Sequence, residues 1–249
     1  MSGHSKWSTI KRAKGVTDAK RGALFTKVAR EISVAARQGG GDPDANYRLR
    51  LAIEKARSVN MPADNIKRTI DKATGSGEAE QFEEIVYEGY GPGGIAVLVE
   101  TQTDNKNRTA ADVRSMFVKS GGQLAGSGAV AWQFEPRGLI TVDAAGVDLD
   151  DVALAAIDAG AEDVDTETDP IEIYTSPGDL EAVRKALEAA GIKVDEAEQA
   201  MVAKQTTLVD AAHARKVLRM IDLLEDSDDV QRVTTNADFP EELMEELEG

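Results

Sequence analysis

A chain of 249 residues that is 41% hydrophobic and carries a formal net charge of −16 can bury one sizeable core or two or three smaller ones. With no cysteine, disulfides, thiolate metal sites and cysteine nucleophiles are excluded, and two histidines argue against a multi-histidine metal centre. No apolar run approaches the roughly eighteen residues that span a bilayer and Met1 is not followed by a signal-peptide core, so the expected location is the cytoplasm, with no membrane partner.

The charge is unevenly distributed. Residues 1–76 hold sixteen Lys and Arg against seven Asp and Glu, a net of +9, whereas residues 77–249 hold thirteen against thirty-eight, a net of −25. A cationic head on an anionic body points to a polyanionic partner for the head.

In chain order, Met1 to Thr17 carries Lys6, Lys11, Arg12 and Lys14 around Trp7 and lacks any apolar period. It reads as a basic arm able to neutralise phosphates and stack one ring on a base or sugar; packing of Trp7 on the first helix is the competing reading. The spacing then predicts a helix over Ala19 to Gln38, with Leu24, Phe25, Val28, Ile32 and Ala35 on one face. Lys27, Arg30 and Arg37 fall opposite, while Lys20 and Arg21 sit in the first turn. Gly39-Gly40-Gly41-Asp42-Pro43 ends that helix. A second helix over Ala45 to Val59 points Arg48 outward. After Asn60-Met61-Pro62, a third exposes Lys67 and Arg68, with Pro62 placed in its first turn. These cations are the candidate nucleic-acid contacts.

From Phe82 the period changes towards two. Strands are expected around Ile85 to Tyr87 and Ile95 to Thr101, joined by a glycine-rich hairpin turn over Gly89 to Gly94. Thr109 to Asp112 is expected to cap the next helix, with Lys106 and Arg108 as secondary nucleic-acid contacts. Ala129 to Phe134 reads as a strand with Trp132 in a core. A βαββαβ pattern follows: strand Leu139 to Val142, helix Val152 to Ala159, strands Glu162 to Thr166 and Ile171 to Thr175, helix Leu180 to Ala190 and a strand from Ile192. That order is the ferredoxin-like unit. Met201 to Val209 is strand-like, Ala211 to Leu224 helical and Val230 to Thr235 a strand, before an acidic tail over Glu241 to Gly249. The expected fold class is therefore α+β, a three-helix bundle followed by two ferredoxin-like α/β domains, one inserted in the other. The expected domains are 1–76, a discontinuous 77–135 plus 203–249, and an inserted 136–202.

No Walker motif, serine nucleophile elbow or His-x-Glu zinc pattern lies near His4 or His213, so no catalysis, cofactor or metal is expected. No helix-turn-helix signature is present, which argues against base reading in the major groove.

Several motifs together resemble the YebC/PmpR family. They are Gly3-His4-Ser5-Lys6-Trp7, Ala19-Lys20-Arg21-Gly22, Phe25-Thr26-Lys27, Gly39-Gly40-Gly41-Asp42-Pro43, Asn60-Met61-Pro62 with Asp64-Asn65-Ile66, Tyr87-Glu88-Gly89-Tyr90-Gly91-Pro92-Gly93-Gly94, and Thr103-Asp104-Asn105-Lys106-Asn107-Arg108-Thr109. Ala23 departs from the pattern, which commonly has another Lys there. The resemblance implies a three-domain plan and a role in gene expression. Members are labelled probable DNA-binding transcriptional regulators; others, including the mitochondrial translational activator of cytochrome oxidase, act on the ribosome and relieve stalls at proline-rich sequences. The implied partners are DNA, or ribosomal and transfer RNA, with basic ribosomal proteins meeting the acidic domains.

Overall fold

The computed structural model describes residues 18–75 and 81–240. The expected arm, with Lys6, Trp7, Lys11, Arg12 and Lys14, and the acidic tail lie outside the described residues. The fold is α+β: three helices, then two four-stranded antiparallel sheets with helices packed on them.

Helices α1 (Asp18–Gly39), α2 (Tyr47–Ser58) and α3 (Ala63–Thr74) close on a core of Val28, Ile32, Ala35, Leu49, Ala52, Ile53, Met61 and Ile66. Their connections explain two of the sequence motifs. Asn46 caps α2 by accepting from Leu49 N–H at 3.1 Å, and its amide donates to the carbonyls of Ala35 and Gly40, each at 2.8 Å. A Cβ at Gly39 would stand 2.6 Å from that amide, so a side chain there would displace the cap. Asn60 has φ +62° and Met61 donates back to Ala56 at 2.8 Å, which reverses the chain and buries the Met61 side chain. Pro62 is the residue before α3 rather than within its first turn.

The first sheet has the order β3-β1-β2-β9, from β1 (Glu83–Tyr90), β2 (Ala96–Thr103), β3 (Gln123–Leu124) and β9 (Val230–Thr235). The β1–β2 turn is shorter than the glycine run suggests, because Gly89 and Tyr90 are still paired, with Val97 and Ala96. Central strand β2 is buried on both faces. Val97 and Val99 pack with α4 (Lys106–Lys119) and α7 (Ala211–Glu225), while Ala96 and Leu98 meet Val130 and Phe134.

The second sheet joins β4 (Phe134–Val142), β5 (Asp163–Asp165), β6 (Ile171–Thr175) and β7 (Glu196–Ala203) in the order β5-β6-β4-β7, all antiparallel. That is the ferredoxin-like order, and α5 (Leu149–Asp158) with α6 (Leu180–Ala189) covers it around Val152, Ala156, Val183 and Leu187. Two short strands, β8 (Thr207–Leu208) and β10 (Ala237–Asp238), pair in parallel.

Two further expectations are corrected by the structure. Residues 131–133 form a 3-10 turn, β4 is one continuous strand from Phe134, and Trp132 is 68% exposed instead of lying in a core. The turn exists because Glu88, buried on β1, accepts from the N–H groups of Gly128 at 2.6 Å and of Val130 and Ala131 at 2.8 Å. A carboxylate gripping three consecutive-region donors bends that segment back over the sheet instead of letting it extend. Burial by itself would raise the Glu88 pKa, but these donors outweigh it and hold the carboxyl below its ordinary value. Glu88→Ala is expected to destabilise the fold by about 2 kcal/mol, the cost of leaving buried N–H groups without an acceptor, read as a lowered urea midpoint.

The second correction concerns the helix start after β2. Asn105, not Thr109, caps α4, accepting from Arg108 N–H at 3.1 Å. Thr109 lies inside the helix, buried, and donates to Asp229 at 2.7 Å.

Candidate nucleic-acid interface

The bundle sits where both sheets can hold it. Tyr47 and Leu51 of α2 pack against the core of the second sheet, and α1 meets the corner between α7 and β9 of the first. At that corner α7 ends, leaving carbonyls without helical partners and a partial negative charge. Lys27 donates to the carbonyl of Glu225, and Arg30 donates to the carbonyls of Asp228 at 2.7 Å and Gln102 at 3.2 Å. Arg30 also pairs with Asp229 at 2.6 Å, where the two side chains are only 15% and 9% exposed, and its guanidinium lies 5.2 Å over the Phe82 ring. The helical wheel places Lys27 and Arg30 opposite the bundle core, and that much is right. They nevertheless do not face solvent, because the opposite face of α1 is itself docked.

Asp229 is the node of this junction. Besides Arg30 it receives Arg108 at 2.9 Å and the Thr109 hydroxyl at 2.7 Å. Burial would raise its pKa, yet the hydrogen bonds from Thr109, Arg108 and Arg30 prevail and hold it low. Arg108 also pairs with Asp104 at 2.7 Å, and the hydrogen bonds it donates to Asp229 and Asp104 raise its own pKa. It is thus a bridge within the body. Lys106 is exposed and lies 4.0 Å from Glu83. Nothing local in the sequence marks Asp229, which reads as one more acid in an acidic stretch.

Arg48 belongs to a third clamp, with Glu84 of β1 and Gln38. The hydrogen bond to Glu84 raises the Arg48 pKa and, reciprocally, lowers that of Glu84. Below the bundle, Lys55 lies 3.3 Å from Glu31 and 3.7 Å from Glu198, and Arg232 pairs with Glu198. These groups line a cleft of about 760 Å³ between the bundle and the two sheets, with eight acidic and four basic side chains on its walls. That balance repels phosphate, so the cleft is not where a polyanion would sit.

What remains outward is the far side of the bundle. Ile66 and Ala73 of α3 face the core, leaving Lys67, Arg68 and Lys72 exposed, and Arg57 on α2 and Arg37 near the end of α1 are exposed as well. Lys20 and Arg21 lie in the first turn of α1. The sequence-predicted cations therefore separate by position: Lys27, Arg30, Arg48 and Arg108 are engaged with the body, Lys67 and Arg68 are presented to solvent, and Arg37 is exposed at the end of α1. Among the described residues no group of three or more His, Asp or Glu is arranged to hold a metal ion, and no helix is long and apolar enough to cross a membrane.

These clamps predict the acid response of the fold. Asp229, Glu88 and Glu84 all have lowered folded pKa values, so their stabilisation is complete above the ordinary carboxylate range near ~4 and is lost as pH falls through each lowered value. Glu100, raised first by burial, opposes them with the reverse sign. Stability is expected to hold down to about pH 4 and to fall steeply below it, as followed by urea midpoints across that range.

Two family models match the chain, the N-terminal domain of TACO1/YebC proteins over residues 5–76 and their second and third domains over residues 82–237. The chain belongs to the TACO1/YebC family. Among its TACO1/YebC relatives, a probable transcriptional regulatory protein, DET0444, of Dehalococcoides mccartyi is 57% identical over 245 residues, 98% of each chain. One from Moorella thermoacetica, also named a probable transcriptional regulatory protein, is 55% identical over 251 residues and the whole of both chains. The crystal structure of the conserved hypothetical protein Aq1575 from Aquifex aeolicus, 46% identical, superposes with a TM-score of 0.85 over 90% of this chain and 93% of that one.

Proposed function

We propose that the protein is a nucleic-acid-binding regulator of gene expression, a DNA-binding transcriptional regulator, that grips sugar-phosphate with the outer side of its amino-terminal bundle. The observation that carries this reading is the sorting of the bundle's cations. Those facing the body are consumed by carboxylates and helix-end carbonyls, yet Lys67 and Arg68 on α3 and Arg57 at the end of α2 remain exposed on a +9 segment. Solvation alone requires no particular sign, and the rest of the chain solvates itself with acids.

In this reading Lys67, Arg68 and Arg37 contact phosphates, joined by Lys20, Arg21 and the arm residues Lys6, Trp7, Lys11, Arg12 and Lys14. Residues 1–76 form the gripping domain, and 136–202 are inserted into a unit made of 77–135 and 203–249. Cations spread over three helices, rather than lined along one helix that could enter a groove, support phosphate contact over base readout. The same feature favours a second reading, a translation factor on folded ribosomal RNA, where shape and phosphate dominate recognition. The names of the relatives support the first. Sequencing nucleic acid crosslinked to the protein in cells separates them: promoter DNA is expected for the first, ribosomal RNA for the second, and recovery of neither class above background would sink both.

A further inference from the structure

The acidic body is not acidic everywhere. Residues 77–249 carry thirteen Lys and Arg among thirty-eight acids, and seven of those thirteen fall on just two helices, α4 and α7. Helix α4 contributes Lys106, Arg108, Arg114 and Lys119; α7 contributes Arg215, Lys216 and Arg219. Their acids are Asp112, Asp222 and Glu225 alone. Elsewhere in the body five of the six cations are neutralised locally, Arg137 by Glu135, Arg184 by Glu181 and Glu188, Lys185 by Glu181, Lys193 by Asp195 and Arg232 by Glu198, while Lys204 donates to the Trp132 carbonyl. By contrast, Arg114, Lys119, Lys216 and Arg219 are exposed and, among the described residues, make no ion pair.

The fold places these side chains on one surface. Val113 and Phe117 of α4 and Val217 and Ile221 of α7 share a core on one face of the first sheet, so the opposite faces of both helices point outward together. Because β2 and β9 are antiparallel, and α4 follows β2 while α7 precedes β9, the helices run antiparallel. The start of α4 and the end of α7 then meet at Asp229, the carboxylate that Arg108 and Arg30 share. The layer therefore begins where the bundle docks and extends away from it for about 22 Å, the length of a fifteen-residue helix.

The second sheet offers an internal comparison. Its helices α5 and α6 cover an equivalent face with five acids against two bases. Either sign would serve solubility, so solvation does not explain why one helix layer is cationic and the other anionic. Within α7 the arrangement even opposes helix stability, since Arg219 stands four residues after Arg215 and three after Lys216, and like charges at those spacings repel.

We infer that the outer face of α4 and α7 is a second phosphate-binding surface, which takes the sugar-phosphate backbone of the nucleic acid held by the bundle. This inference rests on the reading of the bundle as the primary grip. The anionic layer on the second sheet then repels the same strand, so a bound nucleic acid runs along the bundle and the first sheet and away from the second.

The test uses the full chain and two probes, a mixed-sequence DNA duplex and a base-paired RNA hairpin, with affinity measured across a salt series. The variant carries Arg114→Gln, Lys119→Gln, Lys216→Gln and Arg219→Gln. On the duplex, the log-affinity against log-salt slope is expected to become shallower by about 3 to 4, since each phosphate contact contributes about 0.9. A companion with Arg114→Lys and Arg219→Lys keeps the charges and is expected to keep the wild-type slope; thermal melts establish that both are folded. A wild-type slope in the four-site variant, alongside weakened binding by Lys67→Gln with Arg68→Gln, would overturn this surface and leave the bundle grip standing. Wild-type protein that retains neither probe would overturn both.

Discussion

Replacing Asp229 by alanine is expected to be among the most destabilising single changes in the molecule, at about 3 kcal/mol, and to loosen the bundle from the body. The carboxylate is 9% exposed and satisfies Arg30, Arg108 and Thr109 together. Removing it leaves the mostly buried Arg30 guanidinium without its counter-charge, and losing one partner of a buried pair costs far more than the pair contributes net. The figure stays at the low end of that range because Arg108 is 46% exposed and can return to water. Asp229→Asn is expected to lose less, since its amide oxygen still accepts from Thr109. The measurement is the urea midpoint of each variant, together with protease sensitivity of the connection at residues 76–80; an unchanged midpoint for Asp229→Ala would contradict the role of this junction.

Reversing the outward charges should do the opposite, removing function while sparing the fold. Lys67→Glu, Arg68→Glu and Arg57→Glu together are expected to weaken duplex binding by about 500-fold at 0.1 M salt, from three lost contacts at about 0.9 each in the salt exponent. All three side chains are exposed, so the stability change is expected to stay within about 0.5 kcal/mol. Lys27→Glu with Arg30→Glu should behave differently although it too reverses bundle cations, two instead of three. Those cations hold the end of α7 and Asp229, and their reversal is expected to appear first as lost stability. Equal binding loss with equal stability from the two sets would contradict the separation of clamping from gripping cations.

The contrast between Lys67 and Arg30 also shows what the sequence can carry. Apolar spacing identifies the three bundle helices because each is a short amphipathic segment with strong stops at Gly40 and Asn60. The βαββαβ order of the second sheet is legible for the same reason, with Gly191 at φ +83° ending α6 as glycine there suggests. A helical wheel distinguishes one buried face, however, and α1 has two. Its second face is buried against partners almost 200 residues away, which no local pattern encodes. Trp132 is misplaced by a similar long-range cause, since Glu88 on β1 dictates the turn that turns the indole outward. Glu88 and Arg108 both stand in motifs that carry the family resemblance, and in this structure both serve as scaffolding.

The central claim is that the exposed cations of the amino-terminal bundle hold sugar-phosphate. It is tested most directly by the equilibrium affinity of the full-length protein for duplex DNA and for folded RNA as salt is raised. About six engaged phosphates predict a log-log slope on the duplex near −5 or steeper. Failure to retain either polymer in dilute buffer, or an affinity indifferent to salt, would contradict it.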